Sequence, residues 1–157
     1  MRSRRAALVL LIAILGGACA GAGGQGGSAA TPPSDPIAQF VVALQGVGAT
    51  VKVKGTVSQT FSAGAGRILS VNGEDVQVFR YQDEGIARDV ASAISPDGYS
   101  VGPSRGNHTT ISQIDWVAPP HFYRQRELIV LYVGDDQGVL EILNKLLGTP
   151  FAGAKAS

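Results

Sequence analysis

The dipeptide Asn72-Gly73 constrains the fold of this chain more than any other short segment. It lies between two runs rich in β-branched and apolar residues, 67–71 and 74–81. A two-residue connection between strands favours the type I′ turn, whose two central residues have positive φ, and Asn-Gly adopts that conformation readily. The segment therefore predicts an antiparallel β-hairpin.

A second hairpin is predicted nearer the C-terminus. Residues 122–124 and 127–133 are the two strands, and Gln125-Arg126 is the turn between them. The run 128–133 is apolar at every position, which is typical of a strand buried on both faces. We therefore expect this strand to lie in the centre of the sheet.

Two other stretches are predicted as strands. Val51 and Val53 alternate with lysines, which indicates a half-buried strand, and residues 56–61 are expected to continue it. Residues 109–117 form the next predicted strand. The following Pro119-Pro120 is expected to interrupt regular pairing, because proline has no backbone N–H to donate.

Three helices are predicted from apolar residues that recur at helical spacing. The first spans 36–45 behind the N-cap candidate Asp35, the second follows Asp83, and the third follows Asp135-Asp136. Residues 98–108 are rich in Gly, Ser, Pro and Asn and are expected to form a mobile loop. The side chains expected to be buried are Ile37, Phe40, Val41 and Leu44, then Ile86, Ala87, Val90, Ala91 and Ile94, then Val139, Leu140, Leu143, Leu146 and Leu147.

The predicted order of elements is α-β-β-β-α-β-β-α, with hairpins instead of βαβ crossovers. This order is typical of the α+β class, and we expect a two-layer sandwich with a mainly antiparallel sheet and helices on one face. With 45% hydrophobic and 16% charged residues, the composition fits one globular domain. We assign residues 35–152 to that domain.

The N-terminal segment is typical of an export signal. Three arginines among the first five residues precede an apolar run at 6–15, and the small residues Gly16-Gly17-Ala18 follow. A helix of about ten residues covers about 15 Å, half the hydrocarbon core of a bilayer, so this run is too short to span a membrane. We therefore predict that residues 1–18 are a signal peptide.

Cys19 is the only cysteine of the chain, so an internal disulfide cannot form. The segment Leu15-Gly16-Gly17-Ala18-Cys19 resembles the lipobox of bacterial lipoproteins, although Leu15 lies one position earlier than in the usual motif. The resemblance implies that Cys19 carries fatty acyl chains such as palmitate and anchors the protein to the extracytoplasmic face of a membrane in the cell envelope. The alternative is ordinary cleavage nearby, which would release a soluble secreted protein.

The residues behind Cys19 are predicted to be a tether. Residues 20–34 contain only Gly, Ala, Ser, Thr, Gln and Pro, a composition typical of a flexible linker. A linker of this length has an r.m.s. span of about 20 Å. We therefore treat residues 19–34 as a lipidated cysteine and its linker, which hold the domain clear of the lipid headgroups.

Charge and short motifs exclude several functional classes. The chain has 13 basic and 12 acidic residues, and removal of the three N-terminal arginines leaves the acidic residues in the majority, so no nucleic-acid partner is expected. No phosphate loop, dinucleotide fingerprint or nucleophile elbow is present. The only histidines are His108 and His121, too few and too far apart to predict a metal site, and no cofactor is predicted.

The segment 115–124 is the most unusual of the chain. Its candidate ligand or partner surface consists of Asp115, Trp116, His121, Tyr123 and Arg124. Aromatic residues next to an arginine are enriched in binding hot spots. The alternative is that the aromatic residues belong to the core and that His121 is a hydrogen-bonded turn residue. A further alternative is a hydrolase-like envelope enzyme that uses His121 with Asp115 or Arg124.

Several segments together resemble a family of small bacterial lipoproteins whose function is not known. They are 71–78, 95–98, 116–123, 128–135 and 148–153, and the resemblance extends over nearly the whole mature chain. The resemblance implies a lipid-anchored domain and supplies no activity. We therefore expect a non-enzymatic module that binds an envelope protein or a small ligand.

Overall fold

The computed structural model describes residues 34–102 and 111–154. Within these ranges six strands form one antiparallel sheet in the order β1-β2-β3-β7-β6-β8, and β4 and β5 form a separate two-stranded sheet. The predicted α+β class with a mainly antiparallel sheet is confirmed. The elements are α1 (Pro36–Gly46), β1 (Val51–Val57), β2 (Gly66–Val71), β3 (Glu74–Arg80), α2 (Glu84–Ala93), β4 (Ser100–Val101), β5 (Ser112–Gln113), β6 (Pro120–Gln125), β7 (Leu128–Val133), α3 (Gln137–Leu147) and β8 (Ala152–Gly153).

The predicted turn joins β2 to β3. Asn72 has a φ of 53° and Gly73 a φ of 105°, the two positive values that a type I′ turn needs. The side chain of Asn72 also accepts a hydrogen bond from the backbone N–H of Thr50 at 2.8 Å. This bond ties the turn to the start of β1, so that the first three strands form a continuous meander.

Strand β1 is the edge of the large sheet, since it pairs only with β2. Its pairing register shifts between Val53 and Gly55, so Lys54 is an extra residue at a β-bulge. The ammonium group of Lys54 lies 2.7 Å from the carboxylate of Asp75 on β3. The edge strand is therefore irregular at its middle.

Helices cover both faces of the large sheet, and the prediction that they lie on one face is wrong. Along the central strand β7, Leu128, Val130 and Tyr132 pack in one core cluster with residues of α1 and α3. The alternating residues Ile129 and Leu131 pack in a second cluster with Ala87 of α2. Because successive side chains of a strand point to opposite faces, these clusters define an α1/α3 face and an α2 face.

Aspartate caps define where the helices begin. Each cap carboxylate accepts a hydrogen bond from a backbone N–H of the first turn, which satisfies a donor that the helix itself leaves unpaired. The bonds are Asp35 to Ala38 at 3.2 Å, Asp83 to Ile86 at 2.9 Å and Asp136 to Val139 at 2.8 Å. The predicted helix starts are thereby confirmed.

The buried faces of α1 and α3 agree with the prediction, whereas α2 differs at one position. Phe40 and Leu44 of α1 are buried, as are Val139, Leu140 and Leu143 of α3. In α2 Ala87 is fully buried, but Ile86 is 39% exposed. α2 therefore packs against the sheet through Ala87 instead of Ile86. No helix in the described residues is long and apolar enough to cross a membrane.

Three predictions between residues 98 and 120 are corrected. Of the predicted strand 109–117, only Ser112–Gln113 is a strand, while Thr109 and Thr110 lie outside the described residues. Its partner β4 occupies the start of the predicted loop 98–108, of which residues 103–108 also lie outside the described residues. Pro120 does not interrupt pairing, since it is the first residue of β6 and pairs with Val133. A proline is tolerated there because the first residue of a strand can lack a donor.

Candidate functional site

The sheet divides the five residues of the predicted surface between its two faces. His121 and Tyr123 of β6 pair with Tyr132 and Val130 and so belong to the α1/α3 face. The residues Trp116 and Arg124 lie on the α2 face, where each contacts groups that pack there. Asp115 is exposed, next to Trp116 in the chain. The five residues therefore do not form one continuous surface.

Tyr123 is part of the core. Its side chain is 1% exposed. The hydroxyl group donates a hydrogen bond to Oδ1 of Asn144 on α3 at 3.1 Å. Burial raises the pKa of Tyr123 to about 12, because the phenolate would lose its hydration there. This hydrogen bond ties β6 to α3.

His121 is also buried, with 3% of its surface exposed. Its Nε2 atom lies 3.0 Å from the carbonyl oxygen of Gly134. A carbonyl only accepts hydrogen bonds, so Nε2 carries the proton and donates. The ring stacks on Tyr132 with 6.0 Å between the centroids. The Nδ1 atom is buried and forms no hydrogen bond within the described residues, so the imidazole does not face solvent.

Trp116 closes one end of the α2 face. The indole N–H donates to the carbonyl oxygen of Gly98 at 2.8 Å. Its ring meets that of Phe122 edge-on, with 6.0 Å between the centroids. Trp116 therefore fixes the irregular segment before β6 against the core. This contact agrees with the alternative in which the aromatic residues of the segment are structural.

Among the five candidate residues, Arg124 is accessible to solvent and makes an ion pair. Its guanidinium lies 3.4 Å from the carboxylate of Glu84, at the start of α2, and its side chain is 31% exposed. Glu84 also pairs with Arg88 at 3.1 Å. Since His121 lies on the opposite face of the sheet, Arg124 and His121 cannot act together on one substrate.

A polar cleft of about 270 Å³ lies between α1 and the β6–β7 turn. Phe40 and Leu128 form its buried floor. The other lining residues are Pro36, Gln39, Ala43, Gln125, Arg126 and Glu127.

Arg126, at the rim of this cleft, has a φ of 52°, a left-handed conformation that is uncommon for a residue other than glycine. Its guanidinium lies 3.8 Å from the Glu127 carboxylate. Of the residues that line the cleft, Gln125 and Arg126 were predicted only as a turn, and the unfavourable turn residue Arg126 was the one signal for a site here.

An apolar groove of about 470 Å³ lies on the other side of α1, next to the edge strand β1. Val42 of α1 is 54% exposed and Val53 of β1 is 61% exposed. The remaining lining residues are Asp35, Ile37, Ala38, Val41 and Arg67. The sequence placed Val53 on a half-buried strand, but α1 does not reach far enough across the sheet to cover it.

The described residues contain no group of three or more His, Cys, Asp or Glu side chains that could hold a metal ion. Comparison of the chain with protein-family models, with curated proteins and with solved structures found no match. A function must therefore be inferred from the residues of this chain and their arrangement.

Proposed function

We propose that this chain is a lipid-anchored module that binds a ligand or partner outside the cytoplasm and is held at the membrane through Cys19. The observation that carries the proposal is the context of Cys19, the only cysteine of the chain. An apolar run and three small residues precede it, and an uncharged linker follows it. Two or more acyl chains at this position give stable membrane attachment, whereas one alone gives marginal binding.

The polar cleft supports a binding role. A volume of about 270 Å³ lies just below the range of about 300–1,000 Å³ of pockets for drug-sized ligands. The cleft therefore fits a small polar ligand or a side chain of a partner protein. A backbone held in a left-handed conformation by its surroundings is often found at functional sites, and Arg126 has such a backbone at the rim.

The positions of the polar side chains favour binding over catalysis by His121. A histidine base needs a nucleophile and an orienting group within hydrogen-bond reach. His121 instead donates to a backbone carbonyl and stacks on Tyr132 inside the core. Arg124, its candidate partner, lies on the opposite face of the sheet.

The lipid anchor is tested with Cys19→Ser, and Ala20→Ser is the matched control. We expect Cys19→Ser to lose the acyl mass and to move from the membrane fraction to the soluble fraction, while Ala20→Ser remains acylated and bound. Mass spectrometry and membrane fractionation measure both. A Cys19→Ser protein that stays in the membrane fraction contradicts the anchor. A wild-type protein that is cleaved but not acylated shows that the chain is secreted in soluble form.

The binding role is tested by crosslinking in intact cells that produce the full chain. We expect Arg126→Ala to lose crosslinked species that the wild-type protein forms, because its side chain lines the cleft. Arg88→Ala removes a side chain of the same charge on α2, which is also mostly exposed, and this variant should keep the crosslinked species. Thermal unfolding confirms that both variants are folded. Equal crosslinking by both variants contradicts the assignment of the cleft.

A further inference from the structure

The apolar groove beside α1 leaves hydrophobic side chains in contact with water. Val42 and Val53 are more than half exposed, and the half-buried Ile37 and Val41 continue the apolar surface between them. Isolated exposed valines are ordinary, but a contiguous apolar groove marks an interaction site in many proteins. The surface formed by these residues fits a partner that accepts apolar groups.

The charges around the groove have a net positive sign. Arg67 lines the groove and forms no ion pair with any residue that the structure describes. Asp35, the acidic residue of the lining, is paired with Arg80 at 3.6 Å. The two arginines therefore outnumber the one carboxylate at this groove. A negatively charged partner therefore matches this edge of the domain.

The linker enters the domain at the same place. Asp35 lines the groove, and residues 20–34 connect it to Cys19. A flexible chain of this length has an r.m.s. span of about 20 Å. The groove therefore lies at the point where the chain leaves the domain toward Cys19, which the proposed function places in the bilayer.

We propose that the groove, through Val42, Val53 and Arg67, docks onto the surface of an anionic lipid bilayer. The inference rests on the proposed lipid anchor. The valines enter the boundary between headgroups and acyl chains, and the guanidinium of Arg67 binds lipid phosphates. A second copy of the chain fits less well, because two such edges facing each other would bring like charges together.

The experiment uses the acylated chain, reconstituted into vesicles of phosphatidylglycerol and phosphatidylcholine. Acylation blocks the thiol of Cys19, so that Val53→Cys carries the only thiol that reacts with a fluorescent maleimide. Val117→Cys is the matched control, because Val117 is fully exposed and lies outside the groove. Lipids with a nitroxide near the headgroup should quench the label at position 53 several-fold more strongly than the label at position 117.

Charge is tested on the Val53→Cys background. Arg67→Gln should weaken docking about fivefold, the effect expected for one basic residue near an anionic surface. Arg88→Gln, on the α2 face, should leave the quenching unchanged. Vesicles of phosphatidylcholine alone should abolish the difference between positions 53 and 117.

The failure of docking and the failure of the anchor give different results. Equal quenching at positions 53 and 117 in an acylated protein overturns docking and leaves the anchor in place. A label at position 53 that is shielded from iodide in water but not quenched by lipid shows that a protein chain covers the groove, which also overturns docking. If the parent protein itself reacts with the maleimide, Cys19 is not acylated and the proposed function fails.

Discussion

The two faces of the sheet are covered by different means. On the α1/α3 face two helices supply mostly aliphatic side chains, and the hydroxyls of Tyr123 and Tyr132 bond to atoms of α3 or its cap. On the α2 face one helix covers part of the sheet, and aromatic rings cover the rest. These rings belong to Phe61, Phe79, Trp116, Phe122 and Phe151, and they meet edge-on or tilted at centroid distances between 5.0 and 6.1 Å.

The difference explains why one segment resembles a binding surface in sequence. A helix covers a sheet with a row of apolar side chains at regular spacing, which an irregular segment cannot provide. A few large aromatic rings, each able to bury about 150–250 Å², shield the core from water instead. Phe61 and Trp116 serve this purpose on the α2 face, where both rings meet Phe122 of β6. An aromatic cluster in a sequence is therefore equally consistent with a core that loops complete and with a hot spot that binds a partner.

The largest effect is expected at the centre of the aromatic cluster. Phe122 is fully buried and contacts three other rings, so Phe122→Ala should lower the free energy of unfolding by about 3–5 kcal/mol. Phe151 lies at the margin and is 38% exposed, so Phe151→Ala should cost much less. Urea unfolding measures both. Equal losses would show that the α2 face has no such centre.

On the α1/α3 face the matching test is steric. A Cβ atom on Gly134 would lie 2.6 Å from Cζ of Tyr132, so Gly134→Ala must displace the hydroxyl that accepts from the Asp136 N–H. We expect a loss of about 1–3 kcal/mol in urea unfolding. Gly55→Ala is the control, because no atom lies within 4 Å of its Cβ position. A Gly134→Ala protein as stable as Gly55→Ala would contradict the close packing of this face.

Unfolding at alkaline pH allows a comparison of one buried tyrosine on each face of the sheet. Burial raises the pKa of Tyr123 and of Tyr81 to about 12, while an unfolded tyrosine ionises near pH 10. Between pH 10 and 12 the unfolded state therefore binds fewer protons. The free energy of unfolding should fall by about 1.4 kcal/mol per pH unit for each tyrosine, and the stabilisation is fully present below pH 10.

Above pH 10 we expect the free energy of unfolding, measured with urea, to fall less steeply with pH in each of the variants Tyr123→Phe and Tyr81→Phe. The difference should be about 1.4 kcal/mol per pH unit for each substitution. The reduction should be the same for both faces, since the pKa values are raised alike. A slope that neither substitution changes would mean that other groups control alkaline unfolding.

The smallest effect is expected for Arg124→Ala. The pair with Glu84 is partly exposed, so its removal should change the free energy of unfolding by at most about 1 kcal/mol. Loss of crosslinked partners at unchanged stability would assign Arg124 to a partner surface on the α2 face. A loss of stability above 2 kcal/mol would instead show that Arg124 is needed to hold α2 on the sheet.

Local chemistry made much of the fold predictable. The cap at Asp35 and the turn at Asn72-Gly73 depend on neighbouring residues alone, and both are confirmed. Helical periodicity shows which side of a helix is buried but not which face of the sheet it covers, so the layering was predicted wrongly. Strands β4 and β8 have two residues each, too few to show alternation, and they form only where a partner edge is available.

The candidate site was less predictable for a related reason. His121 and Tyr123 alternate with Phe122 and Arg124 along β6, and a period of two would have separated them onto opposite faces. Pro120 obscured the start of this strand, so its first residues were treated as an irregular segment. The cleft and the groove flank α1 and are formed by residues distant in sequence, which no local pattern reveals.

In the membrane-anchored form that we propose, the bulge at Lys54 has a consequence for neighbouring copies of the protein. Proteins held by a lipid move in two dimensions, where encounters between copies are frequent. A flat, regular edge strand would then invite sheet-to-sheet aggregation, because its free N–H and C=O groups can pair with another chain. At Lys54 the ladder is interrupted and a charge is present, so each domain resists joining the sheet of its neighbour.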